Sequence, residues 1–184
     1  HAWVFNNCHN LKKVTLPATL TGVQGTNHND YFKDFEAHSN PSWVYASELF
    51  AYDENLEKII FESEEVKDMF YASNNGTSKD YTVANVGLVT YCDLQEAIDA
   101  AQNGDTVEMI KNVKLDSSVT IPAGKTITLE LNGKTISQEK ACTASYTMIE
   151  NKGNLTITGN GKISFKDTGA GDPNFGWGSY TLTN

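Results

Sequence analysis

The stretch from Val119 to Phe165 decides the fold of this chain. Its first part, Val119 to Ser137, reads V-T-I-P-A-G-K-T-I-T-L-E-L-N-G-K-T-I-S, and its second part, Asn151 to Phe165, reads N-K-G-N-L-T-I-T-G-N-G-K-I-S-F. Residues that alternate between Thr and Ile or Leu predict short strands with one buried and one solvated face. The second part repeats the first at a constant offset, which carries Ile127 to Leu155 and Leu129 to Ile157. Because repetition at such a period is typical of solenoids, we expect stacked coils that share one core.

The Asn-Gly pairs in both parts leave β-hairpins as the alternative, because both positions of the pair tolerate positive φ. A hairpin centred on the first pair places Leu129 opposite Ile136, so the buried faces agree. A hairpin centred on the second pair sets apolar residues opposite polar ones, which reverses the faces of one strand. Parallel stacking suits both parts and places Asn132-Gly133-Lys134 and Asn160-Gly161-Lys162 at matching corners. We therefore favour the solenoid.

Length and composition exclude several classes of function. The 184 residues suffice for one or two domains, and a formal net charge of −9 opposes nucleic-acid binding, which needs clustered Lys and Arg. The three cysteines, Cys8, Cys92 and Cys142, lie far apart and match no metal or redox spacing. No apolar run is long enough to span a bilayer. The chain opens with His1 rather than Met, which predicts that it is a piece of a longer protein.

A second repeat occupies the N-terminal third. The segment Val4 to Leu16, V-F-N-N-C-H-N-L-K-K-V-T-L, recurs in Leu49 to Phe61 as L-F-A-Y-D-E-N-L-E-K-I-I-F, so that Leu11 corresponds to Leu56. Two structural units of about 22 residues would fill the offset between the copies, within the range of leucine-rich repeats. The second copy has Asp53 where the first has Cys8.

This N-terminal pattern resembles the BspA-type leucine-rich repeats of bacterial surface proteins, whose units read A-F-x-x-C-x-x-L-x-x-V-x-L-P followed by a short T-x-I segment. The match runs from Ala2 to Val23, and Phe35 to Phe50 looks like a variant unit of that family. The resemblance implies the end of a leucine-rich-repeat array over residues 1–72. Polar residues around Met69-Phe70-Tyr71 predict solvated turns, with a linker at 73–80.

Residues 93–102 form the strongest helix pattern of the chain. Asp93 can cap the first turn, and an apolar face of Leu94, Ala97, Ile98 and Ala101 follows it at helical spacing. The pair Asn103-Gly104 predicts the stop, while Val83 to Val89 predicts a strand ahead of the helix. Such a helix would cover the exposed first coil of a ladder and its unpaired edge.

The order of helix, strand and repeat resembles the start of right-handed parallel β-helix domains of the pectate-lyase-like type. The matches lie at Leu94 to Thr106, Thr120 to Ser137 and Ile149 to Ile157. The resemblance implies a capped right-handed parallel β-helix over 81–184, truncated at its C-terminus. The fold class expected is therefore mainly β, a leucine-rich-repeat end followed by this solenoid.

The sequence offers little chemistry for an active site. Enzymes with the β-helix fold place acidic and basic residues on one exposed strand face, whereas we expect no two carboxylates to recur on one face here. Asp167 and Asp172 lie in a glycine-rich loop with too few oxygen ligands for calcium. His28, Asp30, Asp34, Glu36 and His38 match no zinc spacing. We expect no catalytic residues, no metal and no cofactor.

The best candidate binding surface is the aromatic segment Pro173 to Tyr180. Phe175, Trp177 and Tyr180 could present flat faces to a glycan or to a groove in a protein, although packing over the core is the favoured interpretation of aromatic residues this large. Ser179 to Asn184 begins as the coil at Ser145 does, so we expect it to open a further coil. An uncovered last coil would self-associate or be covered by another chain.

Together the two resemblances imply a fragment of a non-enzymatic adhesion or display protein, secreted or on the bacterial cell surface. One alternative is a carbohydrate-active β-helix enzyme, a polysaccharide lyase or hydrolase, with its active coils outside this sequence. The other is a fibre or spike on a virion surface, because the same solenoid serves unrelated functions.

Overall fold

The computed structural model describes residues 8–20, 53, 55–72, 82–141, 146–168 and 179–183, the last range by its backbone alone. The chain is mainly β with parallel sheets, as predicted. It divides into two compact units, His1–Tyr81 and Thr82–Asn184. The predicted linker at 73–80 lies outside the described residues. No helix within the described ranges is long and apolar enough to cross a membrane.

In the first unit two strands pair in parallel. Strand β1 is Lys13–Leu16 and strand β2 is Lys58–Phe61, with Val14 beside Ile59 and Leu16 beside Phe61. All four apolar side chains are buried. The pairing reproduces the offset of the sequence repeat, but the expectation that two leucine-rich-repeat units fill this offset is wrong for this ladder. Because β1 and β2 are direct neighbours, no strand from the intervening segment lies between them.

Helix α1, Glu64–Ala72, follows β2 where the polar sequence predicts solvated turns, so that prediction is wrong for these residues. Ser63 Oγ accepts a hydrogen bond from the backbone N–H of Val66 at 3.3 Å, and acidic residues occupy the first turn, where the helix dipole favours them. Val66 and Phe70 are buried, and the Phe70 ring lies 5.3 Å from that of Phe61. Two anchors at i and i+4 spacing therefore fix the helix against β2.

The second unit begins with a hairpin. Strands β3 (Ala84–Val86) and β4 (Val89–Tyr91) pair antiparallel, so the prediction of one strand from Val83 to Val89 is wrong. The chain turns at Gly87, which has a φ of +54° that favours glycine, and only Gly87 and Leu88 connect the strands.

Helix α2, Leu94–Ala100, lies close to the predicted position but ends at Ala100 rather than at Gln102. Asp93 caps it by accepting the N–H of Glu96 at 2.9 Å. Beyond Ala100 the chain leaves the helix, because Asp105 accepts the N–H of Gln102 at 2.8 Å and closes a turn there. The buried side of the helix consists of Leu94, Ala97 and Ile98.

The helix covers the edge of the strand that starts one of the ladders. Strand β7 is Val119–Ile121, and the Gln95 side chain donates to the Thr120 carbonyl at 3.0 Å and accepts its N–H at 2.7 Å. The amide group thus replaces a neighbouring strand, as expected of a capping helix. Lys125 Nζ donates to the carbonyls of Ile98 and Asp99, both at 2.7 Å, and so satisfies the end of the helix.

Three parallel ladders build the rest of the second unit. The first consists of β5 (Thr106–Met109), β8 (Thr126–Glu130) and β11 (Asn154–Thr158), and the second of β6 (Val113–Lys114), β9 (Thr135–Lys140) and β12 (Lys162–Asp167). The third consists of β7 and β10 (Ile149–Asn151), and a last strand, β13, is Ser179–Thr183. We call 119–140 the first segment and 149–167 the second segment.

The register between β8 and β11 confirms the predicted correspondence. Ile127 lies beside Leu155 and Leu129 beside Ile157 in a parallel pair, which is the offset of the sequence repeat. The hairpin alternative at Asn132-Gly133 is wrong, since β8 pairs with β5 and β11 rather than with β9.

The corner between the first two ladders shifts the register by one position. In the first segment residues 131–134 connect β8 to β9, whereas in the second segment only residues 159–161 connect β11 to β12. The sequence offset between paired residues of the two segments is therefore smaller by one residue after the corner than before it. The predicted match of Lys162 with Lys134 is therefore wrong, because Lys162 lies beside Thr135. The shift brings Ile163 beside the buried Ile136 and keeps apolar residues on the inner face.

Strand β13 pairs antiparallel with β12, so the expectation that Ser179–Thr183 opens a further parallel coil is wrong.

The core of the second unit is formed by inward side chains of the strands, which pack with those of α2. The buried members from the strands include Val107, Met109, Ile121, Ile127, Leu129 and Ile136. In the second segment the inward residues are only half-buried, namely Ile149, Leu155, Ile157 and Ile163.

Candidate functional site

The predicted aromatic site lies mostly beyond what the structure describes. Phe175 and Trp177 are outside the described residues, as are Asp172 and the cluster from His28 to His38. Tyr180 belongs to β13, where its backbone lies opposite Phe165. Opposed residues of an antiparallel pair share one face of the sheet, so this position lies in the same row as Phe165 and the buried Gln138. The binding role of the three aromatic residues stays a prediction.

The outward face of the first ladder carries the most concentrated polar chemistry in the described part of the second unit. Glu108 of β5 lies directly beside Glu130 of β8, and Thr158 of β11 lies beside Glu130 on the other side. The expectation that no two carboxylates share a strand face is therefore wrong. The sequence contained the signal, because T-V-E at 106–108 repeats as T-L-E at 128–130.

Hydrogen bonds link this row into a cluster, which we call the Glu108–Glu130 cluster and which also includes Asn132 and Thr158. Thr158 Oγ1 donates to Glu130 Oε2 at 2.6 Å, and the backbone N–H of Asn132 donates to Glu130 Oε1 at 3.2 Å. Asn132 Nδ2 donates to Glu108 Oε1 at 3.1 Å. One asparagine thus joins the two carboxylates, and both oxygens of Glu130 accept a bond.

The corner sequences make this geometry possible. Asn132 has a φ of +46°, which Asn tolerates better than most residues, and its backbone N–H donates to Glu130 at this corner. Gly159 leaves room for the carboxylate, because a Cβ there would lie 1.6 Å from Glu130 Oε1. The asparagine and glycines of the two corners therefore have a packing role as well as a turn role.

Two other outward carboxylates are paired with lysines. The hydrogen bond from Lys114 to Glu139 lowers the pKa of Glu139, and the hydrogen bond from Lys152 lowers the pKa of Glu150. Both groups are consequently ionised at neutral pH. A general acid must carry a proton near the working pH, so neither glutamate suits that role.

An aromatic corner lies at the ends of β9 and β12. Gln138 is buried and its Nε2 donates to Tyr146 Oη at 2.7 Å, while the Tyr146 ring stacks on Phe165 with centroids 5.7 Å apart. Lys140 Nζ lies 4.1 Å from the centroid of the Tyr146 ring. A ring contacted by Phe165 and by a cation offers little free surface on which a sugar could stack.

The Glu108–Glu130 cluster is better suited to joining strands than to binding a metal ion. No group of three or more His, Cys, Asp or Glu side chains within the described ranges could hold a metal ion. Calcium takes six or more oxygen ligands, whereas the Glu108–Glu130 cluster offers two carboxylates, and three of their four oxygens already accept bonds from Asn132 and Thr158. The hydrogen bonds of this cluster connect β5, β8 and β11, which are neighbours in the first ladder.

Comparison with known proteins adds no relative to this picture. No protein family, no curated protein and no solved structure matches the chain.

Proposed function

We propose that the chain is a scaffold segment of a non-enzymatic adhesion or display protein, secreted or exposed on a bacterial cell surface. In this proposal a BspA-like leucine-rich-repeat end precedes a right-handed parallel β-helix of the pectate-lyase-like type. Support comes from the parallel in-register ladders of the second unit and from the parallel pairing of β1 with β2 in the first. Successive strands of this kind extend a protein without requiring a catalytic centre.

The observation that carries the proposal is that outward carboxylates of the second unit are hydrogen-bonded or ion-paired to neighbouring strands and corners. Both oxygens of Glu130 accept bonds from neighbouring strands or corners, and Glu139 is paired with Lys114 of the adjacent strand. A catalytic carboxylate needs access to substrate and a proton to exchange. Side chains engaged in joining strand to strand instead stabilise an extended surface.

A carbohydrate-active enzyme is the second candidate, and one observation favours it. Glu108 and Glu130 lie side by side on the outward face of a parallel sheet, and glycoside hydrolysis commonly uses a pair of carboxyl groups. In this alternative Asn132, which bridges the pair, would contact the sugar.

Incubation with a panel of acidic and neutral polysaccharides separates the two candidates. We expect no cleavage, measured as new reducing ends and as unsaturated products, whether or not a glycan is bound. Glu108→Gln is the diagnostic variant, and Glu57→Gln, an exposed carboxylate in the first unit, is its matched control. Cleavage that Glu108→Gln abolishes and Glu57→Gln preserves would replace the scaffold proposal with the enzyme.

A further inference from the structure

The outward face of the second ladder concentrates lysine. Side chains of β6, β9 and β12 alternate between the core and the outside, and the paired Ile136 and Ile163 mark the inner face. We give the name lysine face to the outward residues of these strands, which are Lys114, Thr135, Ser137, Glu139, Lys162, Ser164 and Lys166. Three lysines and one glutamate leave two net positive charges on this face, whereas the whole chain has a formal net charge of −9.

The lysines of this face border a patch of hydroxyl-bearing residues. Lys162 and Lys166 belong to one strand and lie four residues apart, which is about 13 Å. Lys114 lies on the other side of β9, beside Ser137 and about 10 Å from β12. Opposed residues of β12 and β13 share a face, so the outward rows continue into the uncharged positions Ser179, Thr181 and Thr183.

The positive charge of the lysine face is only partly neutralised. Lys114 Nζ lies 3.0 Å from Glu139 Oε2. The hydrogen bond from Lys114 and, to a smaller degree, the charge of Lys166 lower the pKa of Glu139, so one carboxylate serves two lysines. Lys162 is exposed, and no carboxylate pairs with it in the described part of the chain. The face therefore attracts anions, although the chain as a whole is acidic.

The chemistry of the lysine face selects among anionic partners. Its outward residues include no aromatic ring on which nucleic-acid bases stack, and no large apolar anchor of the kind that dominates protein interfaces. All fourteen basic residues of the chain are lysines, so the forked donors with which arginine grips phosphate are missing. Lysine attracts a carboxylate or a sulfate as a point charge, and serine and threonine exchange hydrogen bonds with sugar hydroxyls.

We propose that the lysine face binds a linear acidic polysaccharide. Its carboxylate or sulfate groups contact Lys114, Lys162 and Lys166, and its hydroxyls contact the serines and threonines between them. This ligand class rests on the adhesion role proposed above and gives that role a surface. Because each exposed ion pair is weak, the affinity comes from several contacts along one polymer and depends strongly on salt.

Three polymers with the same backbone are the probes: dextran, carboxymethyl-dextran and dextran sulfate. We expect both anionic derivatives to bind the full chain and dextran not to bind, as measured by surface plasmon resonance. Raising the ionic strength from about 0.01 M to about 0.15 M shortens the screening length from about 30 Å to about 8 Å, so the affinity should fall at least about tenfold. Binding of one derivative alone supports the proposal and identifies the anionic group.

Variants of the protein locate the binding surface. Lys162→Glu combined with Lys166→Glu turns two attractions into repulsions and should weaken binding at least about tenfold, whereas arginine at both positions keeps the charge and should stay within about threefold. Lys12→Glu combined with Lys13→Glu, at exposed positions of the first unit, changes the net charge equally and is the matched control. It should change the affinity by less than about threefold. If the reversed pair fails to fold, Lys162→Gln with Lys166→Gln replaces it and should weaken binding at least about threefold.

Several results would overturn the proposal: no binding of either anionic polymer at low ionic strength, equal binding of dextran, or equal losses for the two reversed lysine pairs. Tighter binding of single-stranded oligothymidylate than of both anionic dextrans at the same salt concentration would assign the face to nucleic acid instead. Cleavage of a bound polymer would contradict the non-enzymatic role and leave the ligand class standing. Polymers that stay intact and unbound would contradict the ligand class alone.

Discussion

Replacing Gly153 by alanine tests the packing of the second segment on the first. A Cβ at this position would lie 2.3 Å from the Lys125 carbonyl oxygen and 2.6 Å from the Pro122 carbonyl oxygen. Both atoms belong to the backbone, so no side-chain rotation relieves the contact. The Lys125 carbonyl also accepts the N–H of Asn154 at 2.8 Å, and a shift that makes room for the methyl group would stretch that bond.

Overpacking of this kind costs about 1–3 kcal/mol, and weakening the hydrogen bond adds about 1 kcal/mol. We therefore expect Gly153→Ala to lower the free energy of unfolding by about 2–4 kcal/mol. For a unit of this size the melting temperature should fall by about 10–20 °C. Denaturant and thermal unfolding of the full chain, followed by circular dichroism, measure both quantities.

Two further substitutions separate packing from other effects. Lys152→Ala alters the exposed neighbour of Gly153 and should change the unfolding free energy by less than about 1 kcal/mol. Gly124→Ala has no atom within 4 Å of its Cβ but a φ of +77°, so only backbone strain of about 1–2 kcal/mol should appear. A loss for Gly153→Ala no greater than that for Lys152→Ala would refute the reasoning.

Three more predictions concern single contacts. Gln95→Ala removes both bonds to the Thr120 backbone and should lower the unfolding free energy by about 1–3 kcal/mol; a variant as stable as the original chain would show that the helix does not cover β7. Asp53→Asn keeps an acceptor for the backbone N–H of Cys8, which donates to Asp53 at 2.6 Å. It removes a buried carboxylate whose second oxygen has no hydrogen-bond partner in the described part of the chain. Denaturant unfolding should therefore show a free energy of unfolding that is higher by about 1 kcal/mol rather than lower. Lys114→Met should raise the pKa of Glu139 toward its ordinary value, as measured by an NMR titration. Because the pKa of Glu139 is lowered in the folded state, the ion pair stabilises the fold at a pH above the ordinary glutamate pKa. Its contribution is lost as the pH falls through the lowered pKa of the folded state. An unchanged Glu139 pKa would contradict the pairing of β6 with β9.

The sequence predicts the parallel sheets well because their signal is repeated. The alternation of Thr with Ile and Leu recurs at a fixed offset, and only one parallel register places Ile127 beside Leu155 and Leu129 beside Ile157. The helix at 94–100 is equally predictable, since its cap and its apolar face are local features. The solenoid itself stays a prediction.

Features that depend on one residue or on distant partners were harder to predict. The corner at 159–161 is shorter by one position than its counterpart, and the true register emerges only when the inner faces of β9 and β12 are matched. The direction of β13 is set by the edge of β12, which a comparison of sequence motifs does not reveal. The Glu108–Glu130 cluster was missed because the repeated motif that marks it, T-V-E and then T-L-E, is very short.

The parallel register of the two segments is the central claim, and a cysteine cross-link tests it most directly. In a background without the three native cysteines, Thr128→Cys combined with Thr156→Cys places two thiols on neighbouring parallel strands in register. Strands about 4.8 Å apart fall within the Cα separation that a disulfide allows. We expect this pair to oxidise to an intramolecular disulfide, while Thr128→Cys combined with Ser137→Cys, the pair opposed in a hairpin at Asn132-Gly133, stays reduced. Oxidation of the second pair and not of the first would contradict the parallel stack.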